Sequence, residues 1–165
     1  MTPALVFSGV VKDYRGLRPL RIQALEVDAR ERVAIAGLDV PAAETFVNLA
    51  TGAGLPDEGE IHVMGEPTSA ITDGDNWLAS LDRFGVVSHR AVLLEGSTVA
   101  QNIAMSYTLS IDPIPADVRS SVEAIARDVD LPPSALETSL AAAGAAAKVR
   151  THLARALAMN PSILI

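Results

Sequence analysis

The sequence contains no cysteine among its 165 residues. This absence excludes disulfides, a thiolate nucleophile and any metal site built on sulfur. It fits a protein of a reducing compartment. Aromatic residues make up only 4% of the chain, so Ala, Val, Ile and Leu have to fill most of the core.

Positive charge is also scarce, and Lys and Arg form no cluster along the chain. The formal net charge of -7 argues against a nucleic-acid-binding surface and against binding to a membrane by charge. The N-terminus lacks the basic start and apolar run of a secretory signal, and no apolar run is long enough to span a bilayer. We therefore expect a cytoplasmic protein with no direct membrane insertion.

Hydrophobic residues make up 49% of the chain, which is enough for a sizeable core in a chain of one-domain length. Alternating apolar and polar residues predict a half-buried strand at Leu20–Val27. Apolar residues three and four positions apart predict an amphipathic helix from Ala116, and Thr98 is a favoured cap for another helix. Ser162–Ile165 has the composition of a buried strand. Strands that alternate with helices predict an α/β domain with a mainly parallel sheet.

One stretch has the layout of a phosphate-binding loop. Val33–Ala36 is a short apolar run, which predicts a buried strand. Gly37–Ala42 is a turn that contains a proline, and Glu44–Thr51 has the pattern of a helix. A strand, a turn and a helix in this order form the setting in which phosphate-binding loops occur.

The chemistry of that loop is largely missing. Its usual pattern is Gly, four residues, Gly-Lys and then Ser or Thr. Counted from Gly37, the second Gly falls on Ala42, the Lys on Ala43 and the metal-binding hydroxyl on Glu44, with Thr45 next. In the first turn of a helix, the helix dipole would stabilise the Glu44 carboxylate. The same carboxylate, about 4 Å from one phosphate charge, would repel that charge by about 4 kcal/mol in an effective dielectric of about 20. Two alternatives stay open: a retired loop, or one that still binds nucleotide with Glu44 turned aside or touching the metal.

Further segments follow the loop in a characteristic order. Leu55–Ile61 reads Leu-Pro-Asp-Glu-Gly-Glu-Ile, and Gly65 comes shortly after it. Thr98–Ile103 reads Thr-Val-Ala-Gln-Asn-Ile, and Ala154–Pro161 reads Ala-Arg-Ala-Leu-Ala-Met-Asn-Pro. In this order and spacing, over nearly the whole chain, these segments resemble the ATP-binding subunits of ABC transporters.

The resemblance implies a P-loop NTPase fold of the ABC ATP-binding cassette type, incomplete at the C-terminus. Within this single incomplete domain of residues 1–165, it places a β-rich flank and the phosphate-loop core at residues 1–90. The helical lobe would be residues 91–147, and residues 148–165 would form the return helix and the start of a core strand. Such domains work as dimers, in which the signature segment of one subunit covers the ATP of the other.

The resemblance also assigns site positions. Tyr14 stands where the family has an aromatic residue that stacks on adenine, although its ring could equally pack against the β flank. His89 takes the position of the family's glutamine. The signature, normally Leu-Ser-Gly-Gly-Gln, falls on Ala143–Ala147 or in a shifted register that aligns Leu140, and neither register keeps the serine or the Gly-Gly pair. The nucleotide-binding positions are Tyr14, Gly37, Leu38, Asp39, Val40, Ala42, Ala43, Glu44 and Thr45, and the signature positions are Gly144 and Ala145.

The family's catalytic Asp-Glu pair and a later histidine would follow Ile165, so no catalytic residue and no metal ligand is assigned within these residues. We expect a fragment, or a chain that a partner completes. The implied cofactors are ATP and Mg²⁺, bound weakly. The implied partners are a membrane-spanning transporter subunit and a second ATP-binding subunit, identical or different, which would hold the protein at the inner face of the cell membrane.

Two functions stay open. One is the ATP-binding subunit of an ABC-type transporter, which couples nucleotide binding, and hydrolysis if the full chain supplies it, to the membrane partner. The alternative is a pseudo-ATPase interaction or regulatory subunit that no longer binds or hydrolyses ATP.

Overall fold

The computed structural model describes residues 2–88 and 91–165. The chain divides into two compact units, one that ends at Leu81 and one that begins at Asp82. The boundaries expected from the sequence between flank, core and helical lobe stay a prediction.

The first unit is built on a four-stranded antiparallel sheet. Its strands are β1 (Leu5–Lys12), β2 (Leu20–Val27), β3 (Glu58–Val63) and β4 (Glu66–Pro67), in the order β2-β1-β3-β4. Strand β2 has the bounds that its alternating pattern predicts. The central strand β1 pairs with β2 and β3, and the hairpin loop between β1 and β2 starts after Lys12.

A register shift in β1 keeps its apolar side chains on one face. Leu5 and Phe7 are buried two residues apart, and the next buried residue is Val10, which strict alternation would expose. The pairing with β3 shifts between Ser8 and Val11, where Gly9 has a φ of 60°. The extra residue of this irregularity brings Val10 back to the buried face.

The helix α1 (Val40–Ala50) belongs to the first unit. The ring of Phe46 stacks on that of Phe7 in β1, with centroids 5.0 Å apart and an angle of 13° between the planes. The buried residues of α1 lie at helical spacing: Ala42, Phe46, Leu49 and Ala50.

After β4 come a short 3₁₀ helix at Thr68–Ala70 and the helix α2 (Gly74–Leu81). The side chain of Asp73 caps α2 by accepting from the N–H of Asn76 at 2.8 Å. The indole N–H of Trp77 donates to the carbonyl of Thr51 at 3.1 Å, which connects α2 to the end of α1.

Two expectations about the sheet are wrong. The four-stranded sheet is antiparallel, and the described parallel pairing is that of β5 (Phe84–Gly85) with β6 (Ile163–Leu164) in the second unit. Val33–Ala36 forms no strand, and Val33 and Ile35 are 44% and 46% exposed. A buried parallel strand needs neighbouring strands for its backbone hydrogen bonds, and no strand in the described part of the chain pairs with Val33–Ala36. Strand β6 pairs with β5 as its one neighbour in the described part of the chain, so it is only partly buried and Leu164 is 50% exposed.

Helices dominate the second unit. They are α3 (Val99–Ala104), α4 (Ala116–Asp128), α5 (Pro133–Leu136) and α6 (Ala145–Leu157). Thr98 caps α3, as predicted, and forms a reciprocal capping box with Gln101. The apolar core of this unit contains Val99, Ala100, Ile103, Ala104, Val122, Ala126, Val129, Leu131, Leu136, Leu140 and Ala154.

Asn102 is a fully buried polar residue in that core. Its side-chain oxygen accepts from the N–H of Leu94 at 2.8 Å. Its amide group donates to the carbonyls of Leu94 at 3.0 Å and Thr98 at 2.9 Å. These bonds join the segment before α3 to the helix.

We expect Asn102→Ala to lower the free energy of unfolding by about 2–3 kcal/mol, because three hydrogen bonds are lost and a small cavity is left. Denaturant unfolding followed by circular dichroism measures the change. The control is Asn48→Ala, at an exposed position of α1, which should alter stability by no more than about 0.5 kcal/mol. Equal effects of the two substitutions would contradict the role of Asn102.

Candidate functional site

The loop that follows Gly37 is shorter than its sequence suggests. Gly37 has a φ of 84°, and α1 already begins at Val40 rather than at Glu44. Pro41 lies in the first turn, where its fixed φ suits a helix and its missing N–H is tolerated. The second half of the expected phosphate-binding turn, from Val40 to Ala42, is therefore part of the helix.

Asp39 caps this helix. Its side-chain oxygen accepts from the N–H of Ala42 at 2.8 Å, and its carbonyl accepts from the N–H of Ala43 at 2.9 Å. Pro41 has no N–H, so Val40 is the remaining first-turn residue that could offer one to a ligand. An aspartate followed by an apolar residue and a proline is a known start signal for a helix. The sequence contains this start signal, whereas the phosphate-loop register treats Asp39 as a loop residue.

The expectation that Glu44 lies in the first helical turn is wrong. Glu44 is the fifth residue of α1, is half-buried, and the first turn of α1 contains no acidic residue. The dipole effect falls off within the first turn, so it no longer favours Glu44 as the occupant of an anion site. The carboxylate at the helix N-terminus is that of Asp39.

Two other loop positions also serve the helix. The Thr45 hydroxyl donates to the carbonyl of Pro41 at 2.8 Å, so it stabilises the first turn of α1. Ala43 is exposed, and it presents a methyl group at the position where the motif register predicts the lysine of the loop. Leu38 is half-buried and precedes the cap.

Tyr14 lies in the loop between β1 and β2. It is half-buried, and its ring covers Gly16 so closely that a Cβ on Gly16 would come within 2.5 Å of it. In this structure the ring therefore packs on its own loop, and its role toward adenine stays a prediction.

Asp57 holds the start of that loop. The Lys12 ammonium lies 2.7 Å from one carboxylate oxygen, and the N–H of Asp13 donates to the other at 2.7 Å. The N–H of Asp57 donates to the carbonyl of Val11 at 2.8 Å. The hydrogen bond from Lys12, followed by that from the Asp13 backbone, lowers the pKa of the Asp57 carboxyl below 3.8.

In the second unit, the predicted signature position lies at the start of a helix. Gly144 is the N-cap of α6 and makes no side-chain cap, and Ala145 is the first helical residue. The Lys148 ammonium binds the Glu95 carboxylate at 2.9 Å, and the N–H of Ala141 donates to the carbonyl of Glu95 at 3.1 Å. This stretch is thus tied to the segment before α3.

Arg155 on α6 donates to the carbonyl of Val92 at 2.8 Å. It therefore braces the segment that follows the glutamine-loop position. His89, the residue predicted at that position, lies outside the described residues.

Sequence comparison finds curated relatives along nearly the whole chain. The methionine import ATP-binding protein MetN of Caulobacter vibrioides is 32% identical over 164 residues, which are 98% of this chain and 48% of the relative. The iron import ATP-binding protein FbpC of Serratia marcescens is 29% identical, over 98% of this chain and 45% of the relative. This chain is homologous to the ATP-binding subunits of ABC transporters. The resemblance predicted from the motifs is confirmed.

Solved structures give the same result for the fold. The cassette cbiO1 from Clostridium perfringens matches with a TM-score of 0.78 and 17% identity, over 99% of this chain and 64% of that one. A dimeric ATP-binding cassette bound to ADP and Pi matches with a TM-score of 0.71 and 21% identity, over 97% of this chain and 72% of that one. The predicted fold of an ABC ATP-binding cassette is confirmed.

The sequence matches cover nearly all of this chain but only part of each relative. The cassette chain spans about half the length of the MetN and FbpC relatives. No protein-family model matches it. None of the helices in residues 2–88 and 91–165 has the length and hydropathy needed to cross a bilayer.

We expect Asp57→Asn to destabilise the cassette at neutral pH, because the ion pair with Lys12 is lost. The lowered pKa means that the contribution of Asp57 is present above the unfolded-state pKa of about 3.8 and is lost as pH falls through the lower folded-state value. The difference in unfolding free energy between wild type and variant should be constant above about pH 5 and shrink toward pH 3.

Denaturant unfolding across this pH range measures the effect. The control is Asp82→Asn, at an exposed position, which should alter the free energy of unfolding at neutral pH by no more than about 0.5 kcal/mol. If the difference in unfolding free energy between wild type and Asp57→Asn stays the same at pH 3, the stabilising role of the ionised Asp57 is contradicted.

Proposed function

We propose that this chain is the cassette of an ATP-binding subunit in an ABC-type transporter, where it works with a membrane-spanning subunit and a second cassette. The similarity to import ATP-binding subunits over 98% of the chain carries the proposal. The dimeric cassette neighbours support a dimer as the working form. The protein would then lie in the cytoplasm, at the inner face of the membrane, through its partner.

Nucleotide binding by this cassette is weak in our proposal. The backbone N–H groups at the helix N-terminus, the helix dipole and a lysine together hold phosphates in a loop of this type. Here Ala43 carries no charge, Pro41 has no N–H, and the N–H of Ala42 is bound to Asp39. ATP with Mg²⁺ would therefore bind with a dissociation constant of about 1 mM or weaker, near -4 kcal/mol.

A pseudo-ATPase is the second candidate. In this role the chain keeps the cassette fold and docks on a catalytic partner without using ATP. The helical start of α6 at Gly144 favours it, because a signature segment without its serine and Gly-Gly pair lacks the groups that would meet a phosphate across a dimer.

Cross-linking of the complete native protein in its own cells, with mass spectrometry of the membrane fraction, tests the transporter role. The proposal expects cross-links to a membrane-spanning transporter subunit. Cross-links confined to soluble proteins, from a preparation in which the cassette is folded, would contradict it. ATP binding by the captured complex then separates the two candidates, since only the first expects saturable binding.

Restoring the missing charge gives a test on the chain itself. We expect Ala43→Lys to tighten Mg·ATP binding by about tenfold or more, because one charge-assisted hydrogen bond contributes about 1.5–3 kcal/mol. Isothermal titration calorimetry measures the affinity. The control is Ala79→Lys, which adds the same charge at an exposed position of α2. If both variants bind ATP equally, the absent lysine does not limit binding and the pseudo-ATPase candidate gains.

A further inference from the structure

We propose that Asp39 is an internal competitor of phosphate. Its carboxylate occupies the N-terminus of α1, so that a nucleotide can bind there only when this carboxylate leaves. This inference rests on the proposed function and adds a self-inhibitory contact to the same loop.

The first argument is the number of backbone donors. An 11-residue helix begins at Val40, and its first turn could offer N–H groups from Val40, Ala42 and Ala43 but not from Pro41. The N–H of Ala42 is taken by the Asp39 side chain and that of Ala43 by the Asp39 carbonyl. To accept a hydrogen bond from the N–H of Ala42, a phosphate oxygen would have to displace the Asp39 carboxylate.

The second argument is charge. An ionised Asp39 and a phosphate at the same helix end are like charges within a few ångströms, and they repel each other strongly outside bulk water. The loop has no compensating cation at Ala43, where a lysine would offset the carboxylate. Removal of the Asp39 charge should therefore assist phosphate binding even while Ala43 stays unchanged.

The third argument comes from a matched helix in the same unit. Asp73 caps α2 in the same way, with a 2.8 Å bond from the N–H of Asn76 to its carboxylate oxygen. Asp73 also accepts from the side-chain amide of Asn76 at 2.7 Å. A carboxylate cap is thus ordinary local chemistry in this chain, and we expect its removal to cost at least as much at α2 as at α1. What sets Asp39 apart is its place, two residues after Gly37, in the loop that aligns with a phosphate-binding pattern.

The experiment compares Asp39→Ala, Asp39→Asn and Asp73→Ala in the complete native protein. The probes are inorganic tripolyphosphate and Mg·ATP, titrated by calorimetry. We expect Asp39→Ala to bind tripolyphosphate about tenfold tighter than wild type or more, which corresponds to about 1.4 kcal/mol. Asp39→Asn should gain less, since its amide oxygen still caps Ala42 but carries no charge. Asp73→Ala should lower the melting temperature at least as much as Asp39→Ala, because Asp73 accepts two hydrogen bonds from Asn76, and should leave the affinity unchanged.

Affinities of both Asp39 variants equal to that of Asp73→Ala would overturn the inference. If Asp39→Ala does not fold, Asp39→Asn decides the question, because asparagine is as good an N-cap as aspartate. Failure here is distinguishable from failure of the proposed function. The cross-links to a membrane-spanning subunit do not depend on Asp39, so their presence together with unchanged affinities would reject only the role of Asp39.

Discussion

The hydrogen bond from the Ala42 N–H to the Asp39 carboxylate determines where α1 begins, and much of the first unit depends on that helix. With the start at Val40, Phe46 faces the sheet and stacks on Phe7. Caps of this kind contribute about 0.5–2 kcal/mol, which is small beside the burial of Phe46, but they select the first residue of the helix. The same bond removes a donor that a phosphate would need, so local stability and nucleotide binding compete for one N–H group.

In the second unit, the predicted signature position also lies at a helix start. Ala145 begins α6, where alanine is the better helix former by about 1 kcal/mol relative to a glycine. Lys148 and Arg155 on that helix bind Glu95 and the carbonyl of Val92, and Asn102 holds Leu94. Residues at or next to the predicted motif positions thus make contacts within their own unit that stabilise the cassette fold.

Much of this fold follows from local patterns in the sequence. Leu20–Val27, the Thr98 cap and the helix from Ala116 agree with prediction, because alternation, capping and helical spacing act over a few residues. The strand expected at Val33–Ala36 fails because a buried strand depends on neighbours far away in the chain. The register of the phosphate-loop motif puts Glu44 in the first helical turn, whereas the start signals of Asp39 and Pro41 begin the helix four residues earlier, at Val40. The assignment of this loop to phosphate binding stays a prediction. The motif does not reveal how the backbone donors are used, because the Asp39 side chain is a rival acceptor for the N–H of Ala42.

Amide NMR of the native cassette during titration with Mg·ATP tests the central claim most directly, with the resonances of Ala42 and Ala43 as reporters. The account predicts that both resonances stay in place until nucleotide reaches about 1 mM, because Asp39 holds the donors that they report. Saturable shifts of both amides at micromolar ATP would show that phosphate displaces Asp39 readily, and would contradict the account.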